Sequence, residues 1–271
     1  MLGKKIKLVL SGSGTRYPCF VGAIKRLLEE GYEIEEICGT SGGALVAAGF
    51  ASFYEPDKPE DIVELMTEMS LCLLPGPLMD INLLPFYRKG FMGGNRILKE
   101  LREQLPKSFK DTKIPVRIVT FNNNYVRHKI WSSEDDAELP LCVRASMGLP
   151  GIFNLVKIDG DWHSDGGIVG NFELDVFGED ASNVFGVTFS GAKNTARREV
   201  KTKVDLIGAH IDGAIMGSML EDIEDAKGAK ICYVNTRHKG LNLKMTEEDV
   251  LEQIEEGYWS MHARLKLIKL F

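Results

Sequence analysis

Short apolar runs separated by glycine turns organise the first fifty residues. Lys5–Leu10 (KIKLVL) reads as a strand, Ser11–Arg16 as a tight glycine-rich turn and Cys19–Gly31 as a helix. In that helix Phe20, Ala23, Ile24, Leu27 and Leu28 fall at helical spacing, and Gly31 stops it. Ile34–Cys38 predicts a second strand, Gly39–Gly43 a second tight turn, and Ala44–Phe50 a helix of small residues. Strand–turn–helix twice in succession is the pattern of a parallel sheet flanked by helices, so the fold class is α/β.

The same patterning predicts helices over Glu60–Leu73, Asn95–Leu105, Leu139–Met147, Lys203–Ile223 and Thr246–Leu270. It predicts strands over Val116–Phe121, Val126–Trp131, Phe153–Ile158, Trp162–Ser164, Val184–Phe189 and Lys230–Val234. Asn122–Asn124 is a plausible hairpin turn between the first two of these strands. Leu74–Gly94 differs from the rest, with Pro75, Pro77, Pro85 and several glycines set among Leu, Met, Ile and Phe. It reads as an apolar loop, which is unusual on a surface. With no internal repeat and no linker, residues 1–271 are expected to form a single domain.

Composition narrows the function classes. The formal net charge of -6 disfavours a nucleic-acid partner, because phosphate backbones favour a basic face. Cys19, Cys38, Cys72, Cys142 and Cys232 show no C-x-x-C pair, and their odd number and spacing give neither a disulfide framework nor a zinc pattern. They read as reduced thiols, mostly buried. The opening MLGKKIKLVLSGSG has too short an apolar run for a signal peptide, and no segment approaches the ~20 apolar residues that span a bilayer. The expected location is cytoplasmic, with at most peripheral contact with a membrane surface.

Three turns carry candidate chemistry. Gly39-Thr40-Ser41-Gly42-Gly43 is a G-x-S-x-G that follows a strand and opens a helix, the setting of a nucleophile elbow. The flanking glycines let strand and helix approach, and the helix N-terminus favours developing negative charge. Gly12-Ser13-Gly14-Thr15-Arg16 ends the first strand with bare backbone N–H groups, able to hold an oxyanion or a phosphate. Tyr17 stands where a dinucleotide fingerprint needs its third glycine, and no G-K-[ST] is present. Asp165-Gly166-Gly167 is a turn signal that can also hold a carboxylate as general base, if the carboxylate is kept from full solvation.

In order and context these blocks resemble the patatin-like phospholipase family. The resemblance is carried by LVLSGSGTRYPCFVGAIKRLLEEGYEIEEICGTSGGALVAA and by RASMGLPGIFNLVKIDGDWHSDGGIVGNFELD, with KGFMGGNRILKELREQL as a weaker middle block. It implies a three-layer α/β/α domain with a mostly parallel central sheet and a Ser–Asp dyad without histidine. It maps the nucleophile to Ser41, the proton acceptor to Asp165 and the oxyanion hole to backbone around Gly12, Ser13 and Gly14. Arg16 and Gly42 fall at substrate-binding positions. The family loop commonly reads G-G-G-x-R-G, so Ser13 and Tyr17 are departures, and Tyr17 is expected to narrow the pocket or alter the loop. The implied activity is lipid acyl hydrolysis (a phospholipase A or lysophospholipase-type esterase) on membrane phospholipid or another acyl lipid, with no cofactor and no metal.

Rival assignments use the same residues. A histidine triad would take His210, His238 or His262 downstream, none of which sits in a glycine-rich turn. His128 lacks the needed context, and His163, two residues before Asp165, projects toward the same strand face. An acyltransferase would use Ser41 with an acceptor other than water, and a non-catalytic lipid-binding protein would have no use for both Ser41 and Asp165. Leu73–Met92, with Leu74, Leu78, Met79, Leu83, Leu84 and Phe86, reads equally as a lipid-facing lid or as a loop packed on the core. The last helix runs from acidic (Glu247, Glu248, Asp249) to basic (Arg264, Lys266, Lys269), which complements its dipole and favours a docked helix over a membrane anchor.

Overall fold

The computed structural model describes residues 4–56, 58–78, 80, 90–178, 180–190, 203–225 and 228–268. Its main sheet has eight strands: β1 (Lys4–Leu10), β2 (Tyr32–Thr40), β4 (Val116–Asn122), β5 (Arg127–Trp131), β7 (Val156–Ile158), β8 (Asp161–Asp165), β9 (Val184–Phe189) and β10 (Lys230–Val234). β10, β9, β1, β2 and β4 run parallel in that spatial order, while β5, β8 and β7 add antiparallel pairs beyond them. The helices are α1 (Pro18–Glu29), α2 (Gly42–Phe53), α3 (Pro59–Cys72), α4 (Pro75–Leu78), α5 (Asn95–Gln104), α6 (Leu139–Ser146), α7 (Lys203–Asp225) and α8 (Glu247–Ile268).

Strand alternation builds the layers on the two faces of the sheet. Ile6, Leu8 and Leu10 of β1 and Ile34 and Ile37 of β2 join one core with α1, α2, α3 and α8. Their neighbours Val9 and Cys38, with Val119, enter a second core that receives Phe172, Leu174 and Met219 of α7. α8 docks on α1 with almost no gap: a Cβ on Gly22 would stand 1.8 Å from Ile254 O, and one on Gly257 1.8 Å from Cys19 O. The C-terminal helix is therefore a packed element of the core, as its charge order favours.

Two expectations change. The run Phe153–Ile158 is not one strand. Gly151–Phe153 (β6) pairs with Gly90–Met92 (β3) in a separate two-stranded sheet, and only Val156–Ile158 (β7) joins the main sheet. Arg144, buried on α6, binds Gly93 O, Gly94 O and Asn154 O between them, so the break is held by a charged side chain that period-two patterning cannot reveal. In the apolar stretch after Leu73, Leu74 and Leu78 pack against the core. Met79, Leu83, Leu84 and Phe86 lie outside the described residues.

The edge of β4 explains how distant turns meet. β2 pairs with Val116–Val119, and β8 with Thr120–Asn122. β5 pairs with Ile118–Asn122 and so occupies the opposite edge. β2 thus hands one edge of β4 over to β8, and Thr40, opposite Val119, falls next to Asp165, opposite Thr120.

Candidate active site

Ser41 is the junction between β2 and α2, with φ 55 and ψ -123. A non-glycine residue there is strained by roughly 1–3 kcal/mol and persists only where its surroundings fix it. The glycines supply that fixation. A Cβ on Gly39 would meet Gly43 O at 2.3 Å, and one on Gly43 would meet Leu10 O and Ser11 O at 2.5 Å. Ser146 completes the clamp, since the Ser41 N–H donates to Ser146 Oγ at 2.8 Å and that hydroxyl donates to Val119 O at 2.6 Å.

The Ser41 hydroxyl donates to Asp165 Oδ2 at 2.6 Å. Asp165 ends β8, is 4% exposed, and accepts from the Gly167 N–H through Oδ1 at 2.9 Å. Burial pushes its carboxyl up to about 6, partly offset by the hydrogen bonds from Ser41 and Gly167. A carboxylate so placed is ionised at neutral pH yet basic enough to take a proton from a hydroxyl.

The glycine loop lies over this pair. A Cβ on Gly12 would stand 3.5 Å from Ser41 Cβ, and one on Gly42 would meet Ser13 Oγ at 2.2 Å and Gly14 O at 2.6 Å. The three amides of the loop are not equivalent. Gly12 N–H donates to Asn171 O at 3.1 Å, whereas the Ser13 and Gly14 amides have no acceptor among the described residues. Gly42 opens α2, where an amide has no intrahelical acceptor. Arg16 turns back on its own loop, donating from Nε to Ser13 O at 3.2 Å with its guanidinium 4.0 Å over the Phe189 ring.

A family model for patatin-like phospholipase matches residues 8–177 of the chain, an interval that contains every one of these turns. The chain belongs to the patatin-like phospholipase family. Membership brings lipid acyl hydrolysis as the chemistry of the family. The chain is similar to the uncharacterized protein R571 of Acanthamoeba polyphaga mimivirus, 25% identical over 73% of this chain and 70% of that one. It is 23% identical to the uncharacterized protein YqhO of Bacillus subtilis (strain 168), covering 97% and 94%. It is 24% identical to the uncharacterized NTE family protein Mb1092c of Mycobacterium bovis, covering 74% of this chain and 53% of that one. Among solved structures, VipD from Legionella pneumophila shares the fold with a TM-score of 0.56 at 15% identity, over 98% of this chain and 67% of that chain. The sheet, mostly parallel with helices on both sides, is the patatin fold.

Against the pattern of this patatin-like family, Tyr17 resolves differently from its sequence expectation. It is 3% exposed and donates from Oη to Ser70 O at 3.1 Å. Its hydroxyl thus ties α3 down while its ring lies in the core and its Cβ stays beside Gly42. Two of the candidate histidines lie elsewhere: His163 Nδ1 pairs with Thr120 Oγ1 at 3.0 Å beside Trp131, and His128 Nδ1 sits 2.7 Å from Glu173. Among the described residues no histidine hydrogen-bonds to Ser41 or Asp165.

Two residues at the site escape sequence reasoning. Ser146 sits in the A-S-M-G-L-P-G approach, so its signal was present, but its role needs the contact with Ser41 across 105 positions. Asn171 follows the D-G-G turn and supplies the carbonyl that holds Gly12, while its buried Oδ1 has no hydrogen-bond partner among the described residues. No helix is long and apolar enough to cross a membrane among the described residues.

Proposed function

We propose that the protein hydrolyses the acyl ester bond of a lipid through a Ser41–Asp165 dyad. The observation that carries this reading is the 2.6 Å hydrogen bond from Ser41 Oγ, at a strained elbow, to a buried carboxylate raised to about 6. Ser41 Oγ attacks the ester carbonyl carbon as Asp165 takes its proton. The tetrahedral oxyanion is held by the amides of Ser13 and Gly14 and by that of Gly42, with Gly12 as the strut that fixes the loop to Asn171. Asp165 returns the proton to the departing alcohol, leaving an acyl-enzyme. Water then attacks the acyl carbon, gives its proton to Asp165, and the fatty acid leaves as Ser41 is reprotonated. Arg16 serves by bracing the loop from within.

The test is release of fatty acid from mixed phospholipid vesicles and of p-nitrophenol from an acyl ester series. Ser41→Ala and Asp165→Asn should each lower turnover by about 1,000-fold or more in proteins that remain folded. Asp165 must be ionised to act, so kcat/KM should climb as pH rises through about 6 and then level off. Full activity of folded Ser41→Ala, or a flat profile between pH 5 and 8, would overturn the dyad.

A further inference from the structure

We propose that His238, Asp249 and Glu252, with Glu256 beside them, form a binding site for a divalent transition-metal cation that braces the glycine loop. Asp249, Glu252 and Glu256 are spaced at i, i+3 and i+7 on α8 and so share one face of the helix. His238 comes from the loop between β10 and α8. One donor atom from each of His238, Asp249 and Glu252 lies within 4.8 Å of the others.

The imidazole is the independent observation. Its side chain is 9% exposed, and Nε2 is buried with no hydrogen-bond partner among the described residues. That nitrogen faces carboxylate oxygens all the same, Glu252 Oε2 at 3.4 Å and Glu256 Oε2 at 3.9 Å, at ion-pair range but without hydrogen-bond geometry. Bonds of about 2.1 Å at tetrahedral angles put neighbouring ligand atoms roughly 3.4 Å apart, so the spacing suits a cation between them better than a shared proton. On the other side of the ring, Asp249 Oδ1 stands 3.6 Å from Nδ1, where it orients the imidazole from behind.

Most of the carboxylate atoms are already held. Asp249 Oδ2 accepts from Thr246 N, Glu256 Oε1 accepts from Arg237 N, Glu256 Oε2 accepts from Thr236 Oγ1 and keeps a second lone pair toward Nε2, and Glu252 Oε1 pairs with Arg237. The oxygens that point at His238 are thereby oriented before any ion arrives. One imidazole nitrogen and two carboxylates, with Asp249 orienting the ring, are a borderline donor set that suits Zn²⁺ or Mn²⁺.

The consequence for the site rests on the proposed role of the glycine loop. Two residues beyond His238, Gly240 O accepts from Thr15 N at 2.8 Å, and Asn242 N donates to Thr15 Oγ1 at 2.8 Å. The segment that the cation would tie to α8 is therefore the seat of Gly14, Thr15 and Arg16. A cation at His238 fixes that seat and, through it, the Ser13 and Gly14 amides.

The experiment is titration of chelator-treated full-length protein with ZnCl₂ and with MnCl₂ by calorimetry, and melting with and without each ion. We expect one ion per chain, a melting point raised by the ion, and affinity lowered by about 10-fold or more in His238→Ala and in Glu252→Gln. Glu252 lies at the surface end of the cluster, so its variant guards against a folding defect in the histidine variant. No stoichiometric binding, or binding unchanged in both variants, would overturn the site. In parallel, ester hydrolysis is measured on the same samples, where the ion should raise kcat in wild type and leave both variants unchanged. Binding that leaves wild-type kcat and KM unmoved would overturn the bracing role. Because binding and melting are read without turnover, failure of the Ser41–Asp165 reading would leave the test of the site intact.

Discussion

The chain makes two strand–glycine turn–helix units within its first fifty residues, and they hold their shape by different means. The elbow at Gly39–Gly43 is packed against its immediate neighbours: Gly43 against the backbone of Leu10 and Ser11, Gly42 against Ser13 and Gly14. The loop at Gly12–Arg16 is held by remote chain, with Gly12 on Asn171 and Thr15 on Gly240. The elbow thus takes its close packing from the paired strands β1 and β2, with remote clamps only on Thr40 and Ser41 from Gly170 and Ser146, while the loop is seated on segments that arrive more than 150 residues later. In the proposed mechanism the strained Ser41 needs a rigid mount, and the proposed oxyanion donors, on a loop seated on a second segment, can be adjusted through that segment.

Substitutions at the two turns should separate these regimes. Gly43→Ala should have the largest effect, because the new Cβ would lie 2.5 Å from two main-chain carbonyls that cannot yield separately. We expect a loss of about 3 kcal/mol or more by urea unfolding, with little folded protein at 37 °C. A variant that melts with wild type would show that the elbow is not braced as described.

Asp165→Asn should move stability the other way while removing activity. The carboxyl is raised from its ordinary 3.8 to about 6 in the folded chain, so folding binds a proton more readily than unfolding does. The wild type is favoured below about 4 and loses stability as pH rises through 6, at a cost of up to roughly 3 kcal/mol by neutrality. Asparagine has no such dependence. Its advantage in unfolding free energy should therefore grow between pH 4 and pH 7.5, and an advantage that shrinks over that range would contradict the burial argument.

Gly14→Ala tests the remote seat. The position has φ +58 and a Cβ there would lie 1.8 Å from Gly240 O, so the 235–242 segment must move. A loss of about 2 kcal/mol in stability with a fall of roughly 100-fold in kcat is expected, in a chain that still folds because the elbow is untouched. Equal collapse of Gly14→Ala and Gly43→Ala would erase the distinction between the turns.

Ser146→Ala should be the mildest. It removes the acceptor of the Ser41 amide, and the expected cost is about 1–2 kcal/mol with kcat down about 10-fold. Ser146 acts by positioning, so KM should stay near wild type; a KM effect without a kcat effect would assign it to substrate binding.

The elements themselves were largely legible in the sequence. Both strand–turn–helix units, the late strands Val184–Phe189 and Lys230–Val234 and the closing helix follow from periodicity and glycine punctuation, which are local properties. Ser41 was singled out for the same reason, since a G-x-S-x-G after a strand is a local pattern. What went astray was non-local. Phe153–Ile158 alternates like one strand, yet Arg144 draws its first half toward Gly93 and Gly94 and splits it between two sheets. Tyr17, expected to narrow the pocket or alter the loop, has a further contact that only the fold supplies, its hydroxyl donating to the Ser70 carbonyl of α3.

By itself the sequence determined which turns were sharp, which residue stood at the elbow and which carboxylate followed a strand. It did so because backbone strain and glycine packing act over a few residues. Only the tertiary structure decided that β2 and β8 share one edge of β4. That shared edge sets Thr40 beside Asp165 and closes the 2.6 Å contact with Ser41 over 124 positions of chain. It also decided that the loop carrying His238 would seat the glycine turn, since a contact between Thr15 and Gly240 exists only once β9 and β10 have brought the end of the chain back beside β1.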